Sequence, residues 1–211
     1  MTRLSPDGFK NFFKYFNDGV KQNEGLDALY DAMPKSLLED DSTWIDLYRT
    51  PDPSKEKSVD IPIDALELIA EFEGFRSEPY LDGVGVATIG YGQTFYLDGR
   101  KVLLSDPPIS EQTGRHMLEV LAREKFWNVI KTTVPYWETM SNGQRGALLS
   151  FAYNLGAHFY GSPGFNTISA CLTDRAWDEV PAALMLYVNP GSAVEVGLKR
   201  RRRAEGEMWI S

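Results

Sequence analysis

The stretch RGALLSFAYNLG, Arg145 to Gly156, is apolar almost all the way round a helical projection. A helix without a polar face cannot lie at a surface, so other elements must enclose it. That requirement makes it the centre of a helical body. Helical spacing and cap signals put its neighbours at 110–129, 166–172, 175–187 and 198–209, with the central helix itself over 141–155. Ser141 followed by Gln144 has the form of a capping box. A further helix opens the body at IDALELIAEFEG: Asp64 is expected to cap it with Glu67 reaching back, and Ile63 and Leu68 are expected to form a hydrophobic staple. Ala65, Leu68, Ile69 and Phe72 form its buried stripe, Glu73 lies at the border of that stripe, and Gly74 supplies the stop.

After Gly74 the chain changes period. Asp82-Gly83 and Asp98-Gly99 are favoured two-residue hairpin turns, flanked by strand-like segments around 80–81, 86–91, 96–97 and 101–104. These predict a small three-stranded antiparallel sheet, and the class is α+β, mostly helical. The segment 51–61, PDPSKEKSVDI, has linker chemistry and separates a main region over 61–211 from a small helical module over 1–55. Three short helical patterns occupy that module, and residues 1–60 carry 12 Asp and Glu against 8 Lys and Arg.

Composition narrows the function. A formal net charge of −8 argues against general affinity for nucleic acid. No apolar run approaches the roughly 18 residues of a membrane span, and Asp7, Lys10 and Lys14 interrupt the N-terminus, so neither stable membrane insertion nor a secretory signal is expected. Cys171 is the only cysteine and His116 and His158 the only histidines, so no metal and no cofactor is expected.

The chemistry concentrates in EFEGFRSEPYLDGVGVATIGYGQT, Glu71 to Thr94. A carboxyl at a half-apolar helix end loses water, which favours its protonated form, whereas one in a wet turn stays ionised. An acid such as Glu73 can then donate to the leaving oxygen of an acetal while Asp82 activates water, held by Thr88 on the returning strand. That arrangement suits inverting glycoside cleavage. Each residue also has a plainer role: Glu73 as a helix-end acid paired with an arginine, Asp82 as the first residue of an Asp-Gly turn, Thr88 as an ordinary strand residue.

The joint pattern Glu73-Gly74, Arg76, Tyr80, Asp82, Gly85 and Thr88 to Gly92 resembles the active-site signature of the phage-type lysozymes, glycoside hydrolase family 24, the bacteriophage endolysins. Gln144 to Gly156 is similar to that family's central helix, and GLKRRRRAE, Gly197 to Glu205, to its closing motif, with Arg201 and Arg202 in the paired-arginine positions. The resemblance runs from about residue 61 to the end. It implies a lysozyme-like fold, a small sheet-bearing lobe joined to a larger helical lobe with the substrate cleft between. It also implies hydrolysis of the β-1,4 bond between N-acetylmuramic acid and N-acetylglucosamine in peptidoglycan, with Glu73 as general acid and Asp82 and Thr88 positioning the water. On that pattern Arg201 or Arg202 turns inward to Glu73, a pairing that opposes the desolvation of the acid, and Arg76 is a supporting residue.

Tyr80 and Tyr91 could stack on a sugar or serve as packing residues, and Asn154 could reach the cleft or satisfy buried backbone groups. Four consecutive arginines project in different directions and cannot form one patch. A lytic transglycosylase, which adds no water, and a virion-associated wall-binding protein on an inactive lysozyme scaffold are the competing functions. As a lysin the chain is expected to be a monomer, made in the host cytoplasm and reaching the periplasm and wall once a holin opens the membrane.

Overall fold

The computed structural model describes residues 61–211. The helical module expected over 1–55 and its linker therefore lie outside the described residues. Residues 61–96 and 101–211 belong to one compact unit.

Helix α1 spans Ile63–Glu73. It starts one residue earlier than expected because Pro62, with φ fixed at −58°, takes the cap position, and its carbonyl accepts from the N–H groups of Ala65 and Leu66. No side chain caps the helix. Asp64 sits in the first turn, Glu67 leaves the expected capping box to meet Arg115 at 2.6 Å, and Ile63 is 68% exposed, so the staple is absent too. Ala65, Ile69 and Ala70 are buried, while Leu68 and Phe72 are half-buried. Gly74 stops the helix as expected: at φ +70° it enters a region that costs other residues strain, and its N–H closes on the Ala70 carbonyl.

The sheet has two strands, not three: β1, Arg76–Leu81, pairs antiparallel with β2, Ala87–Gly90, in a register that sets Tyr80 opposite Thr88 and Leu81 opposite Ala87. The register shifts between Arg76 and Tyr80, where four steps along β1 run against two along β2. The third strand fails because the chain consumes its own backbone groups beyond β2. Gly90 and Gly92 take positive φ, Tyr91 N–H donates to the Gln93 side-chain oxygen at 2.7 Å, and Ile89 and Gln93 pair with each other. A side chain at Gly90 would put its Cβ 2.5 Å from that same Gln93 oxygen, so the turn requires glycine. Phe95 and Lys101 form only a single bridge, and Leu103 N–H goes to Asp106 Oδ2 instead of a neighbouring strand. In the 97–100 turn itself, Arg100 N–H donates to Asp98 Oδ1 and Gly99 has φ +83°.

The rest is helical. α2, Glu111–Leu121, continues through a π-helical turn, Ala122–Trp127, into α3, Asn128–Thr133. The extra residue of that turn lies between buried Leu118 and the buried pair Trp127 and Ile130. α4, Asn142–Leu155, carries the expected Ser141–Gln144 capping box and buries every residue from Gly146 to Ala152, the central position its composition demanded. α5 spans Asn166–Thr173. The helix expected over 175–187 shrinks to a 3₁₀ turn, Trp177–Glu179, and α6, Val180–Leu184, because Arg175 is left-handed at φ +57° and Pro181 can occupy only a first turn. α7, Glu195–Ile210, closes the unit and packs along α4. Phe151 of α4 makes edge contacts with Phe159, Phe165 and Tyr187, an aromatic cluster of the kind that adds about 0.5–1.5 kcal/mol per pair beyond burial.

Candidate active site

Glu73 is the last residue of α1, where the helix gives way to β1. Its Oε1 accepts from Arg201 Nη1 at 2.7 Å, so the first and last helices of the unit meet at this carboxylate. The Glu73 side chain remains 26% exposed while that of Arg201 is 5% exposed, which leaves the acid reachable and its partner inside. Arg201 also donates from Nη2 to the Ser150 carbonyl at 3.1 Å and from Nε to Ser150 Oγ at 3.3 Å, and its guanidinium lies 5.7 Å from the Phe72 ring centre. Of the two paired arginines it is Arg201 that turns to Glu73.

Arg202 goes elsewhere. It is fully buried, donates from Nη2 to Asn154 Oδ1 and to Glu205 Oε1, each at 3.0 Å, and lies 4.9 Å from the Phe151 ring centre. Its Nε stands 2.9 Å from Glu205 Oε2, an ion pair too poorly aligned to give either atom a good hydrogen bond, and Nη1 has no partner among the described residues. Burial pulls the Arg202 guanidinium down to about 10, against the attraction of Glu205. Arg200 faces outward toward Glu71, and Arg203 is exposed, so the arginine run splits between inside and outside as its spacing required.

Asp82 sits one residue past β1, in a loop closed by Asp82 N–H donating to the Val86 carbonyl. This is a longer connection than the two-residue turn expected at Asp82-Gly83, and the aspartate is the reason. Its Oδ1 accepts from Val84 N–H at 2.9 Å and from Val86 N–H at 2.8 Å, holding the wider loop from within. Oδ2 takes no hydrogen bond among the described residues. Thr88 is buried on β2, and its hydroxyl donates to the Val86 carbonyl at 3.0 Å, which leaves the Oγ1 lone pairs as acceptors. Thr88 lies opposite Tyr80, and Asp82 follows Tyr80 by two positions, so all three lie at the loop end of the hairpin.

The other expected residues divide. Tyr80 is half-buried with the Arg76 guanidinium 4.4 Å over its ring, so Arg76 occupies a face that a sugar could have used. Tyr91 is 2% exposed, tilted against Phe75 at 5.3 Å, with its hydroxyl donating to Glu111. It therefore lacks the open ring face that stacking needs, and burial, then the bond to Glu111, pushes its phenol up. Asn154, half-buried, is engaged by Arg202 rather than by backbone groups.

Three neighbours escaped the sequence reading. Ser150, Tyr153 and Glu205 surround the Glu73–Arg201 pair. Ser150 Oγ donates to Glu205 Oε1 at 2.7 Å, and Glu205, fully buried, is pushed up to about 7 by burial. Burial first and the charge of Glu73 second push the Tyr153 phenol well above its ordinary range. A signal existed for two of them: Ser150 is the one hydroxyl in the buried part of α4, and Glu205 follows Arg201 and Arg202 by four and three positions, the spacing of helical ion pairs. A surface depression of about 530 Å³ lined by Glu67, Glu71, Tyr91, Glu111 and Arg115 includes none of Glu73, Asp82 or Thr88.

A central buried helix, a closing helix that reaches the acid at the end of α1, and a small hairpin carrying Asp82 define a lysozyme-type scaffold. Residues 70–205 match the phage lysozyme family. The endolysin of Salmonella phage P22 is 29% identical over 142 residues, covering 66% of this chain and 90% of that relative. Among solved structures, a point variant of P22 lysozyme aligns with a TM-score of 0.60 at 26% identity, covering 72% of this chain and 98% of the other. The endolysin from Escherichia coli O157:H7 phage FAHEc1 aligns with a TM-score of 0.61 at 23% identity, over 72% and 93% of the two chains, and shares the fold. The chain belongs to the phage lysozyme family: it is a glycoside hydrolase of the endolysin and muramidase kind.

Proposed function

We propose that this chain cleaves the β-1,4 bond between N-acetylmuramic acid and N-acetylglucosamine by inverting hydrolysis, with Glu73 as general acid and Asp82 and Thr88 as the pair that holds the attacking water. Arg201 fixes Oε1 of Glu73, so the acid's proton is carried on Oε2 and passes to the glycosidic oxygen as the bond to the anomeric carbon breaks. A water hydrogen-bonds to Oδ2 of Asp82 and Oγ1 of Thr88, and as its oxygen attacks the anomeric carbon from the opposite face one proton passes to Oδ2 while the other hydrogen stays on the new anomeric hydroxyl. Asp82 then releases its proton to solvent and Glu73 takes one up, which resets the pair. The observation that carries this reading is the pair of acceptors at the loop end of the hairpin: Asp82 with Oδ1 tied by two backbone N–H groups, and Thr88 with its own hydrogen committed to Val86.

The test compares Glu73→Gln with the unaltered enzyme on purified peptidoglycan. Glu73→Gln is expected to release no reducing ends while still folding, as its circular dichroism spectrum would show, and a fully active variant removes Glu73 from the role. Product masses distinguish hydrolysis, which adds one water per cut, from transglycosylation, whose anhydro ends would overturn the role of Asp82.

The proposal extends to a monomer that accumulates in the host cytoplasm and reaches the wall through a holin lesion. No helix among the described residues is long and apolar enough to cross a membrane, which supports this route. Fractionation before lysis tests it, and enzyme found early in the periplasm contradicts it. The catalytic domain is proposed to begin near Ile61, so a chain starting there should retain hydrolysis. Any loss of wall adsorption in that chain would assign binding to the N-terminal residues.

A further inference from the structure

We propose that Arg76 reads the peptide stem of the wall: its guanidinium, laid on the Tyr80 ring, takes a carboxylate of the stem borne by the N-acetylmuramic acid whose anomeric carbon is attacked. The inference deepens the proposed reaction and rests on the hairpin of Asp82 and Thr88 being where the water is held.

The path of the side chain brings the charge to that hairpin end. Arg76 opens β1, but its guanidinium carbon stands 4.4 Å from the ring centre of Tyr80, four positions further along. Tyr80 is paired with Thr88, and directly opposed residues share a face of an antiparallel pair with Cβ atoms about 4.5–5.5 Å apart. The cation is therefore held beside the hydroxyl proposed to hold the water rather than beside its own backbone.

Its donors are uncommitted. The Arg76 side chain is exposed and makes no ion pair and no hydrogen bond among the described residues, although Glu78 lies two positions along the same strand. Arg201 and Arg202, by contrast, are spent on Glu73, Ser150, Asn154 and Glu205. Stacking on a ring uses the face of a guanidinium and leaves the N–H groups, which project from its rim, to meet a carboxylate side by side. Tyr80 thus fixes the plane of a fork that still has its hydrogen bonds to give.

The substrate supplies the anion. The bond cut starts from the anomeric carbon of N-acetylmuramic acid, so that sugar lies against Asp82 and Thr88, and the lactyl group on the same ring carries the stem. Stem carboxylates are then the charges that the substrate brings to this end of the hairpin. For a chain of net charge −8, one open cation here offsets the repulsion that an anionic strand would otherwise meet.

The test compares soluble, uncrosslinked strands with the same strands after ammonia and carbodiimide have amidated the stem carboxylates, so that only the charge differs. The unaltered enzyme is expected to cut the native strands with a kcat/KM about tenfold higher, the difference lying in KM and shrinking as salt is added. In Arg76→Gln the ratio of the two kcat/KM values is expected to fall toward parity, and Arg76→Lys to keep part of it, since an ammonium holds the charge but not the fork. An arginine that only packs on Tyr80 predicts otherwise: Arg76→Gln then lowers both values alike and leaves the ratio in place, which overturns the inference. Parity in the unaltered enzyme overturns it too, and that measurement needs no variant to fold. Asp82→Asn, run in parallel, keeps the failures apart: full activity there sinks the placement of the reaction at this hairpin, whereas an inactive Asp82→Asn beside an unmoved ratio sinks only the role of Arg76.

Discussion

Arg201 Nη1 and Glu73 Oε1 stand 2.7 Å apart across 128 positions of sequence, tying the last helix of the catalytic unit to the end of its first. The arginine is inside and the carboxylate is a quarter exposed, so losing the arginine strands a partly desolvated anion and removes a donor from the Ser150 carbonyl. Arg201→Met is expected to cost about 3 kcal/mol, the low end for breaking a buried pair, because Glu73 can recover some water. Urea unfolding at neutral pH measures it. Arg201→Lys should recover only part of the loss, since a single ammonium cannot serve the three directions that the guanidinium serves.

Glu205 gives the stability a pH dependence of defined sign. Burial raises its carboxyl to about 7 in the folded state, above its ordinary value in the unfolded chain. A raised folded value means that the group's contribution is complete below the ordinary carboxylate range and is lost as pH rises through about 7. The unfolding free energy of the unaltered protein should therefore fall relative to that of Glu205→Gln between about pH 5 and about pH 8. Parallel curves for the two proteins would show that the carboxyl titrates alike in both states.

Much of this arrangement was legible before any coordinates, and the misses share a physical cause. α4 was placed correctly because an all-apolar helix has one environment open to it, and its capping box is a local, self-contained signal. That Arg201 or Arg202 turns inward to Glu73 followed from the family resemblance, but which of the two does so was decided only by the packing of α7. The errors came where a side chain competes for backbone groups. Pro62 displaced Asp64 from the cap of α1, Gln93 took the N–H of Tyr91 and ended the sheet, and Asp82 widened its own turn by accepting from Val84 and Val86. Glu205 was missed because an acid beside four arginines reads as a solvated helix face, and only the packing of α7 on α4 removes it from water.

Two glycines on neighbouring helices should respond in opposite directions to the same substitution. A Cβ at Gly143, in the first turn of α4, would land on the Met208 carbonyl oxygen of α7, and backbone there cannot swing aside as a side chain would. Gly143→Ala is expected to destabilise by about 1–3 kcal/mol through overpacking. Gly197, inside α7, has open space around it, so Gly197→Ala is expected to stabilise by about 0.4–1 kcal/mol through lost freedom in the unfolded chain. Denaturant midpoints of the two variants provide the check, and a shift of the same sign in both would contradict the packing of α7 on α4.

Asp82 has two jobs that can be separated by choice of substitution. Its Oδ1 holds the loop by accepting from Val84 and Val86, and the proposed chemistry needs a negative charge able to take a proton at Oδ2. Asparagine keeps an oxygen for the first job and forfeits the second; alanine forfeits both. Asp82→Asn is thus expected to lose about 10²–10⁴-fold in kcat while its unfolding midpoint stays near that of the unaltered protein. Asp82→Ala should lose activity at least as far and also about 1–2 kcal/mol of stability, since two loop N–H groups must then find water. Reducing-end release and urea unfolding on the same preparations report the two effects. If Asp82→Asn hydrolyses at the rate of the unaltered enzyme, the carboxylate is only a loop anchor and the attacking water is held by other groups.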